Sequence, residues 1–132
     1  MAAQPDWPRQ VVAGLRAALE FFAAEPDLAR LCLVESVSAT PTIAIRFREA
    51  VLLGVPALER GRDEVEGGQA LPPNTEDSVL GGIVSLATRT TLTGDPAQLP
   101  RLLPDLVEFS LAPYLGSTAA AERGIEARIS GA

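Results

Sequence analysis

The last third of the chain holds two long apolar segments with helical spacing, Asn74 to Thr93 and Leu99 to Leu115, joined by the connector Gly94-Asp95-Pro96. Apolar side chains cover more than half of the circumference of the first segment, and a helix of this kind must be buried on nearly all sides. One small chain cannot easily bury two such neighbouring helices, whereas four helices from two chains can. The pattern therefore predicts a helical hairpin that packs against a copy of itself.

Two glycines in the middle of the first segment support this prediction. Gly81 and Gly82 each cost about 1 kcal/mol relative to alanine inside a helix, and this cost favours the close approach of another helix at that point. A tolerated irregularity is the alternative interpretation. The residues that we expect at the dimer interface are Val79, Gly82, Ile83, Leu86, Leu103, Leu106, Phe109 and Ser110.

The composition argues against several classes of function. The 132 residues are enough for one domain with a core, and the apolar fraction of 47% argues against disorder. The net charge of −6 makes a poor nucleic-acid binder, because phosphate contacts need basic residues on one face. The absence of His and the single Cys remove the commonest general base and zinc ligand, together with any Cys-cluster site. We therefore expect no metal and no cofactor.

Targeting and catalytic motifs are also missing from the sequence. No apolar run approaches the roughly 20 residues that a membrane span requires, and the N-terminus has neither the basic nor the apolar region of a signal peptide. The chain contains no glycine-rich phosphate loop and no nucleophile elbow. We expect a cytoplasmic protein that has no membrane partner, no catalytic residue and no enzymatic activity.

The fold class that the periodicity predicts is all-α, a five-helix antiparallel bundle that forms a single domain over residues 1–132. The first helix should begin at Pro8 with Asp6 as its N-cap, and it should end before Pro26. The second helix should run from Pro26 to about Val37. The fourth and fifth helices are the two apolar segments, and in the dimer these two helices form the four-helix bundle.

The third helix and the irregular regions follow from the positions of proline and glycine. We expect this helix over Pro41 to Arg60, capped by Thr40 and bent near Leu53, because Gly54 and Pro56 interrupt it. Residues 61–74 should form a long mobile surface loop. The polar residues 117–132 should form a tail that frays.

Glu35 is the most unusual polar residue of the first three helices. It lies on or near an apolar helix face, where a carboxylate must be exposed at the edge, paired with an arginine, or placed in a cavity. Arg46 and Arg48 on the third helix are candidate partners. An ion pair between helices and a polar contact in a ligand pocket are both compatible with the sequence.

Several short runs follow one another in a recognisable order over about residues 7 to 120. They are Leu19–Glu35, Leu58–Arg62, the tripeptide Leu71-Pro72-Pro73, Val79–Ile83, Leu102–Val107 and Leu111–Gly116. In this order and spacing, the chain resembles the C-terminal domain of TetR-type transcriptional regulators, which binds effectors and forms dimers. Each run alone is mostly apolar helix, so the order carries the resemblance.

The resemblance implies a homodimer whose four-helix bundle is built from the segments 75–93 and 99–115. It also implies a mostly apolar pocket among the first three helices and the fourth, which takes a small apolar effector. From the helix faces, we expect this pocket to be lined by Leu15, Leu19, Phe22, Leu31, Phe47, Val51 and Ile83, with Glu35 as a polar contact.

Such regulators read DNA through a helix-turn-helix that precedes this domain, and the sequence begins six residues before Trp7. We therefore expect DNA contact only through a missing N-terminal helix-turn-helix. Two alternatives stay open. One is a headless subunit that forms heterodimers and binds no small molecule. The other is a small helical enzyme with a carboxylate site around Glu35, which requires that residue to lie in a cleft.

Overall fold

The regular structure in residues 6–35 and 41–130, which are the residues that the computed structural model describes, is helical throughout. The predicted all-α class is therefore confirmed for this part of the chain. Among these helices, none has the length and apolar character that crossing a membrane requires. The helices are α1 (Trp7–Ala24), α2 (Pro26–Leu33), α3 (Pro41–Leu52), α4 (Gly54–Glu59), α5 (Gly61–Glu64), α6 (Thr75–Thr93), α7 (Leu103–Leu115) and α8 (Ser117–Ser130), with 3₁₀ turns at Gly68–Ala70 and Pro96–Leu102.

The predicted N-cap Asp6 and the predicted end of α1 before Pro26 are confirmed, and the helix begins at Trp7, one residue before the predicted Pro8. The Asp6 carboxylate accepts a hydrogen bond from the backbone N–H of Arg9 at 3.0 Å, which satisfies one of the free donors of the first turn. Glu25 ends α1 and precedes Pro26, the first residue of α2. Helix α2 ends at Leu33. Val34 and Glu35 are not α-helical, so the predicted continuation of this helix is wrong for these two residues. Residues 36–37 and the predicted cap at Thr40 lie outside the described residues.

The predicted bend in the third helix is a complete break. Helix α3 ends at Leu52, Leu53 forms a turn, and α4 begins at Gly54. Pro56 has no N–H to donate to the carbonyl four residues earlier, so the hydrogen-bond ladder of an α-helix cannot continue through this point. The two pieces are separate helices for this reason.

The predicted fifth helix is also divided. The segment Pro96–Leu102 is a 3₁₀ turn, which the Asp95 side chain caps by accepting from the N–H of Ala97, and only Leu103–Leu115 is α-helical. Pro100 and Pro104 each remove an N–H that an α-helix needs, and the tighter 3₁₀ geometry tolerates this loss in a short piece. The prediction of an α-helix is therefore wrong for the first turns of this segment.

The core lies where α1 packs against the 3₁₀ turn Pro96–Leu102 and against α7. Leu99, Val107 and Leu111 are fully buried there. Helix α6 packs against α2, α4 and α7 as well as the 3₁₀ turn. Helix α3 contributes no buried residue and is the least embedded of the longer helices.

The prediction that residues 117–132 fray is wrong for the described part of this region. Residues 117–130 form α8, which packs along α7. Ala120, Gly124 and Ala127 are buried at helical spacing, and a Cβ on Gly124 would lie only 2.9 Å from the carbonyl oxygen of Pro104. Small side chains thus let α8 approach α7 closely. An ion pair of 3.6 Å between Arg123 and Asp6 also joins α8 to the start of α1.

The prediction of a long mobile loop over residues 61–74 is also wrong. Helix α5 and the 3₁₀ turn Gly68–Ala70 give this segment regular structure, and both Gly61 and Gly68 are buried. A Cβ on Gly61 would lie 2.3 Å from Cζ2 of Trp7, so only glycine allows the indole to occupy this position. The segment is held by side chains from distant parts of the sequence.

Helices α6 and α7 run in opposite directions, because Glu76 contacts Tyr114 near one end and Gly82 faces Phe109 further along. A Cβ on Gly82 would lie 2.6 Å from Cζ of Phe109. The close approach that the sequence predicted at this glycine therefore exists within one chain. A Cβ on the neighbouring Gly81 would meet no side chain and no other helix within 4 Å, so this side of α6 is open.

The contrast between the glycines gives a stability prediction. Gly61→Ala should lower the free energy of unfolding by about 2 kcal/mol, because the added methyl overlaps the buried indole of Trp7. Gly81→Ala should raise it by about 0.5–1 kcal/mol, because the methyl has free space and alanine favours the helix. Urea denaturation followed by circular dichroism measures both changes. Equal effects of the two substitutions would contradict the packing described here.

Candidate functional site

A buried carboxylate joins three helices at one end of the molecule. Arg62 of α5 donates two parallel hydrogen bonds to Glu76 of α6, from Nε to Oε2 and from Nη2 to Oε1, each 3.0 Å long. The Tyr114 hydroxyl of α7 donates to Oε2 of the same carboxylate at 2.6 Å. The side chains of Arg62 and Glu76 are only 13% and 4% exposed. We call these three residues the Glu76 cluster.

The arginine of the Glu76 cluster also closes the preceding segment. Its Nη1 donates to the carbonyl of Leu71 at 2.9 Å, and its Nη2 donates to the carbonyl of Pro72 at 2.6 Å. One guanidinium therefore satisfies two backbone acceptors and a carboxylate, which the planar fork of arginine allows and lysine does not. These bonds give the 61–74 segment its order.

Ionisation of the cluster follows from its hydrogen bonds. Burial opposes the charged form of Glu76, but the hydrogen bonds from Arg62 and Tyr114 outweigh it and lower the pKa of this carboxyl below its ordinary value. Burial and the hydrogen bond to the Glu76 carboxylate raise the pKa of Tyr114, so the hydroxyl stays protonated as the donor. The cluster is a charged pair with a neutral phenol.

Trp7 extends this arrangement to α1 and α4. Its ring lies edge-on to Tyr114, with the ring centroids 5.1 Å apart, and its Nε1 donates to the carbonyl of Ala57 at 2.7 Å. The indole is 3% exposed. The interactions fix where α1 begins relative to α4 and α7, as expected for an aromatic anchor whose polar atom finds a partner.

A polar cleft of about 430 Å³ lies beside the Glu76 cluster. Several of its polar groups have partners inside the protein: Arg60 donates to the Gln10 side chain at 2.6 Å, and Gln69 donates to Asp63 at 2.5 Å. The cleft is therefore an open depression in the protein surface above the Glu76 cluster, whose contacts hold the fold together. Its lining residues are Pro56, Glu59, Arg60, Arg62, Asp63, Gln69, Pro73 and Glu76.

A second cleft, of about 320 Å³, lies between α3 and α6, and we call it the α3–α6 cleft. Its floor is mostly apolar, and its volume is near the lower end of the range for small-molecule sites. Gly81 leaves space on the α6 side, as described above. The lining residues are Phe47, Arg48, Val51 and Leu52 from α3, and Asp77, Leu80, Gly81 and Val84 from α6.

The structure brings two of the predicted pocket residues, Phe47 and Val51, to the α3–α6 cleft. Leu19 is buried in the core, and Glu35 is exposed just after the end of α2. The remaining four residues are partly buried and do not line this cleft. They are Leu15, Phe22, Leu31 and Ile83.

The residues predicted at the dimer interface fall into two groups. One group is buried within the chain itself, because α1, α6 and α8 pack around α7, and is therefore covered without a second copy: Val79, Leu103, Leu106 and Ser110. The other group keeps some exposure. Gly82, Ile83 and Leu86 are partly buried, and Phe109 is 47% exposed.

Most of the residues that form the α3–α6 cleft and the Glu76 cluster were not predicted from the sequence. The α6 side of the cleft has helical spacing, since Asp77, Leu80, Gly81 and Val84 share one face, but nothing local shows that α3 covers that face. Glu76 gives no local signal beyond a favourable charge in the first turn of α6. Its partner Arg62 falls in the segment predicted as a loop, and no pattern in the sequence links the two residues.

Within the described ranges, no group of three or more His, Cys, Asp or Glu side chains is placed to hold a metal ion. Comparison with protein-family models, with curated proteins and with solved structures found no match to this chain. The interpretation of its function therefore depends on the geometry of the chain itself.

The Glu76 cluster gives a prediction about stability and pH. Glu76→Gln should lower the free energy of unfolding by about 2 kcal/mol near neutral pH, because Arg62 then loses its buried counter-charge. Since the folded-state pKa of Glu76 lies below its ordinary value of 4.5, its contribution is present above that value and disappears as the pH falls below it. The substituted protein should therefore lose less stability than the wild type on acidification.

Urea denaturation at several pH values between neutral and acidic measures this difference. Asp77→Asn is the matched control, because Asp77 is the next residue in the same helical turn and is exposed. A Glu76→Gln protein with the stability and pH dependence of Asp77→Asn would show that the cluster does not hold the fold.

Proposed function

We propose that this chain is a ligand-responsive dimerisation domain of the TetR type, without enzymatic activity. The observation that carries the proposal is the position of α6. Leu80, Gly81 and Val84 of this helix line the α3–α6 cleft, and Gly82 of the same helix packs on Phe109 of α7. One helix thus borders both a candidate ligand site and a candidate dimer surface. A ligand that shifts α6 when it binds in the cleft therefore also alters the dimer surface.

The dimer that we propose uses the outer faces of α6 and α7 as a four-helix bundle with a second copy. Phe109 is a half-exposed aromatic residue on this surface, and Gly82 and Ser85 of α6 are small. Small residues allow close approach of a partner helix, and an exposed aromatic ring is a frequent anchor of protein interfaces. The interface that we propose therefore contains fewer residues than the one expected from the sequence. Gly82 and Phe109 lie at its centre.

The effector that we propose for the α3–α6 cleft is small and has an apolar body, because most of the lining side chains are apolar. The exposed position of Glu35 gives no support to the alternative of an enzyme built around this carboxylate, which requires a cleft and a second polar group within reach. No specific observation favours the heterodimerising subunit over the homodimer.

The test of the proposed dimer is the solution mass, measured by light scattering. The wild type should have twice the 13.8 kDa mass of the chain. Phe109→Glu should weaken dimerisation at least about tenfold, because it places a charge at the centre of the interface. Ile45→Glu is the matched control, since Ile45 is a similarly apolar and exposed residue on α3, away from this surface. Its dimer should be unchanged.

Circular dichroism should show that both substituted proteins keep their helices. A wild type that stays monomeric at high concentration would overturn the proposed dimer. Loss of the dimer in Ile45→Glu but not in Phe109→Glu would place the interface on α3.

Small apolar molecules that bind the folded chain should raise its melting temperature, and a screen without any such effect would count against a ligand-responsive domain.

A further inference from the structure

The charges of the α3–α6 cleft define its ligand more closely than its apolar floor does. Arg48 and Asp77 are the charged residues of the lining, and they come from the two different helices that form the cleft. In the described part of the chain, neither takes part in an ion pair within 4.0 Å, although ion pairs form elsewhere, such as that between Arg123 and Asp6. The cleft therefore offers one positive and one negative group beside an apolar surface.

A ligand with one charge fits this pair poorly. An anion would be attracted by Arg48 and repelled by Asp77, and a cation would meet the reverse arrangement. An uncharged ligand would use neither group. A zwitterion satisfies both, because its carboxylate can accept hydrogen bonds from the guanidinium while its ammonium donates to the carboxylate of Asp77.

We propose that the α3–α6 cleft binds a free amino acid with a large apolar side chain, with its carboxylate on Arg48, its ammonium on Asp77, and its side chain on Phe47, Val51 and Leu80. The cleft volume of about 320 Å³ suits a molecule of this size. This inference rests on the proposed function, since it names the effector class of the same cleft. Arg48 and Asp77 are both exposed, so each contributes a modest, solvent-screened part of the affinity.

The test compares four related molecules by isothermal titration calorimetry: L-phenylalanine, 3-phenylpropanoate, 2-phenylethylamine and 3-phenyl-1-propanol. They share an apolar ring and differ in carrying both charges, the anion only, the cation only, or neither. L-phenylalanine should bind about twofold to fivefold more tightly than either singly charged molecule, as expected for solvent-screened charge contacts. Gly81→Leu should abolish binding, because its side chain fills the space beside α6.

Substitutions of the two charges separate their roles. Arg48→Gln should weaken the binding of L-phenylalanine and 3-phenylpropanoate and slightly strengthen that of 2-phenylethylamine, because the repulsion by Arg48 is removed. Asp77→Asn should weaken the binding of L-phenylalanine and 2-phenylethylamine and slightly strengthen that of 3-phenylpropanoate for the corresponding reason. Arg46→Gln and Glu49→Gln are matched controls, because both residues are exposed on α3 and do not line the cleft. They should bind all four molecules as the wild type does.

Three outcomes would overturn the inference. Equal binding of 3-phenylpropanoate and L-phenylalanine, with no effect of Asp77→Asn, would mean an anionic effector. Tightest binding of the uncharged alcohol would mean an effector recognised by its apolar body, in which case the proposed function stands and this inference fails. Absence of binding by all four, with a solution dimer, would also reject the amino acid while leaving the dimerisation domain intact.

Discussion

The carboxylate of Glu76 is the contact on which the rest of this fold depends. It accepts two hydrogen bonds from Arg62 and one from Tyr114, so a single buried charge connects α5, α6 and α7. A buried ion is costly unless its lone pairs are satisfied, and here the three donors satisfy them. The same guanidinium holds the backbone of the segment before α6. Polar contacts therefore add to the packing of Val65 and Leu71 on the core in ordering that segment.

The aromatic contact between Trp7 and Tyr114 connects the Glu76 cluster to α1, near the start of the chain. Tyr114 contacts the carboxylate through its hydroxyl and the indole through its ring, and Trp7 in turn bonds to the backbone of α4. Position 61 requires glycine because the indole fills the space that any side chain would need. Residues from four distant parts of the sequence thus depend on one another, and a substitution at any of them disturbs the others.

The parts of the fold that sequence predicts well are those whose causes are local. The Asp6 cap, the boundary at Glu25 and the break at Leu53 each depend on proline or on a capping side chain within four residues. Helix α8 could not be predicted in this way, because its buried face consists of small residues, Ala120 among them, which give no apolar stripe in the sequence. Their burial depends on α7 and cannot be read from α8 alone.

The α3–α6 cleft and the Glu76 cluster show the same difference between features with local causes and features that depend on distant residues. Helix periodicity identified Phe47 and Val51 as inward-facing residues, and both line the α3–α6 cleft. It could not show which helix lies opposite them, so the contribution of α6 was missed. The Glu76 cluster joins residues 14 and 38 positions apart, and no pattern of hydrophobicity or propensity encodes that pairing. Long-range polar pairing is the information that the sequence alone did not yield.

The absence of buried residues in α3 has a consequence for how the cleft behaves over time. A helix with little buried apolar surface opens by local unfolding at a lower free energy than the core, so amide hydrogens of α3 should exchange with solvent before those of α7. One wall of the cleft is thus the part of the fold that separates most readily. A ligand must order that wall as it binds, which lowers its affinity but makes the conformation of α3 a sensitive reporter of occupancy.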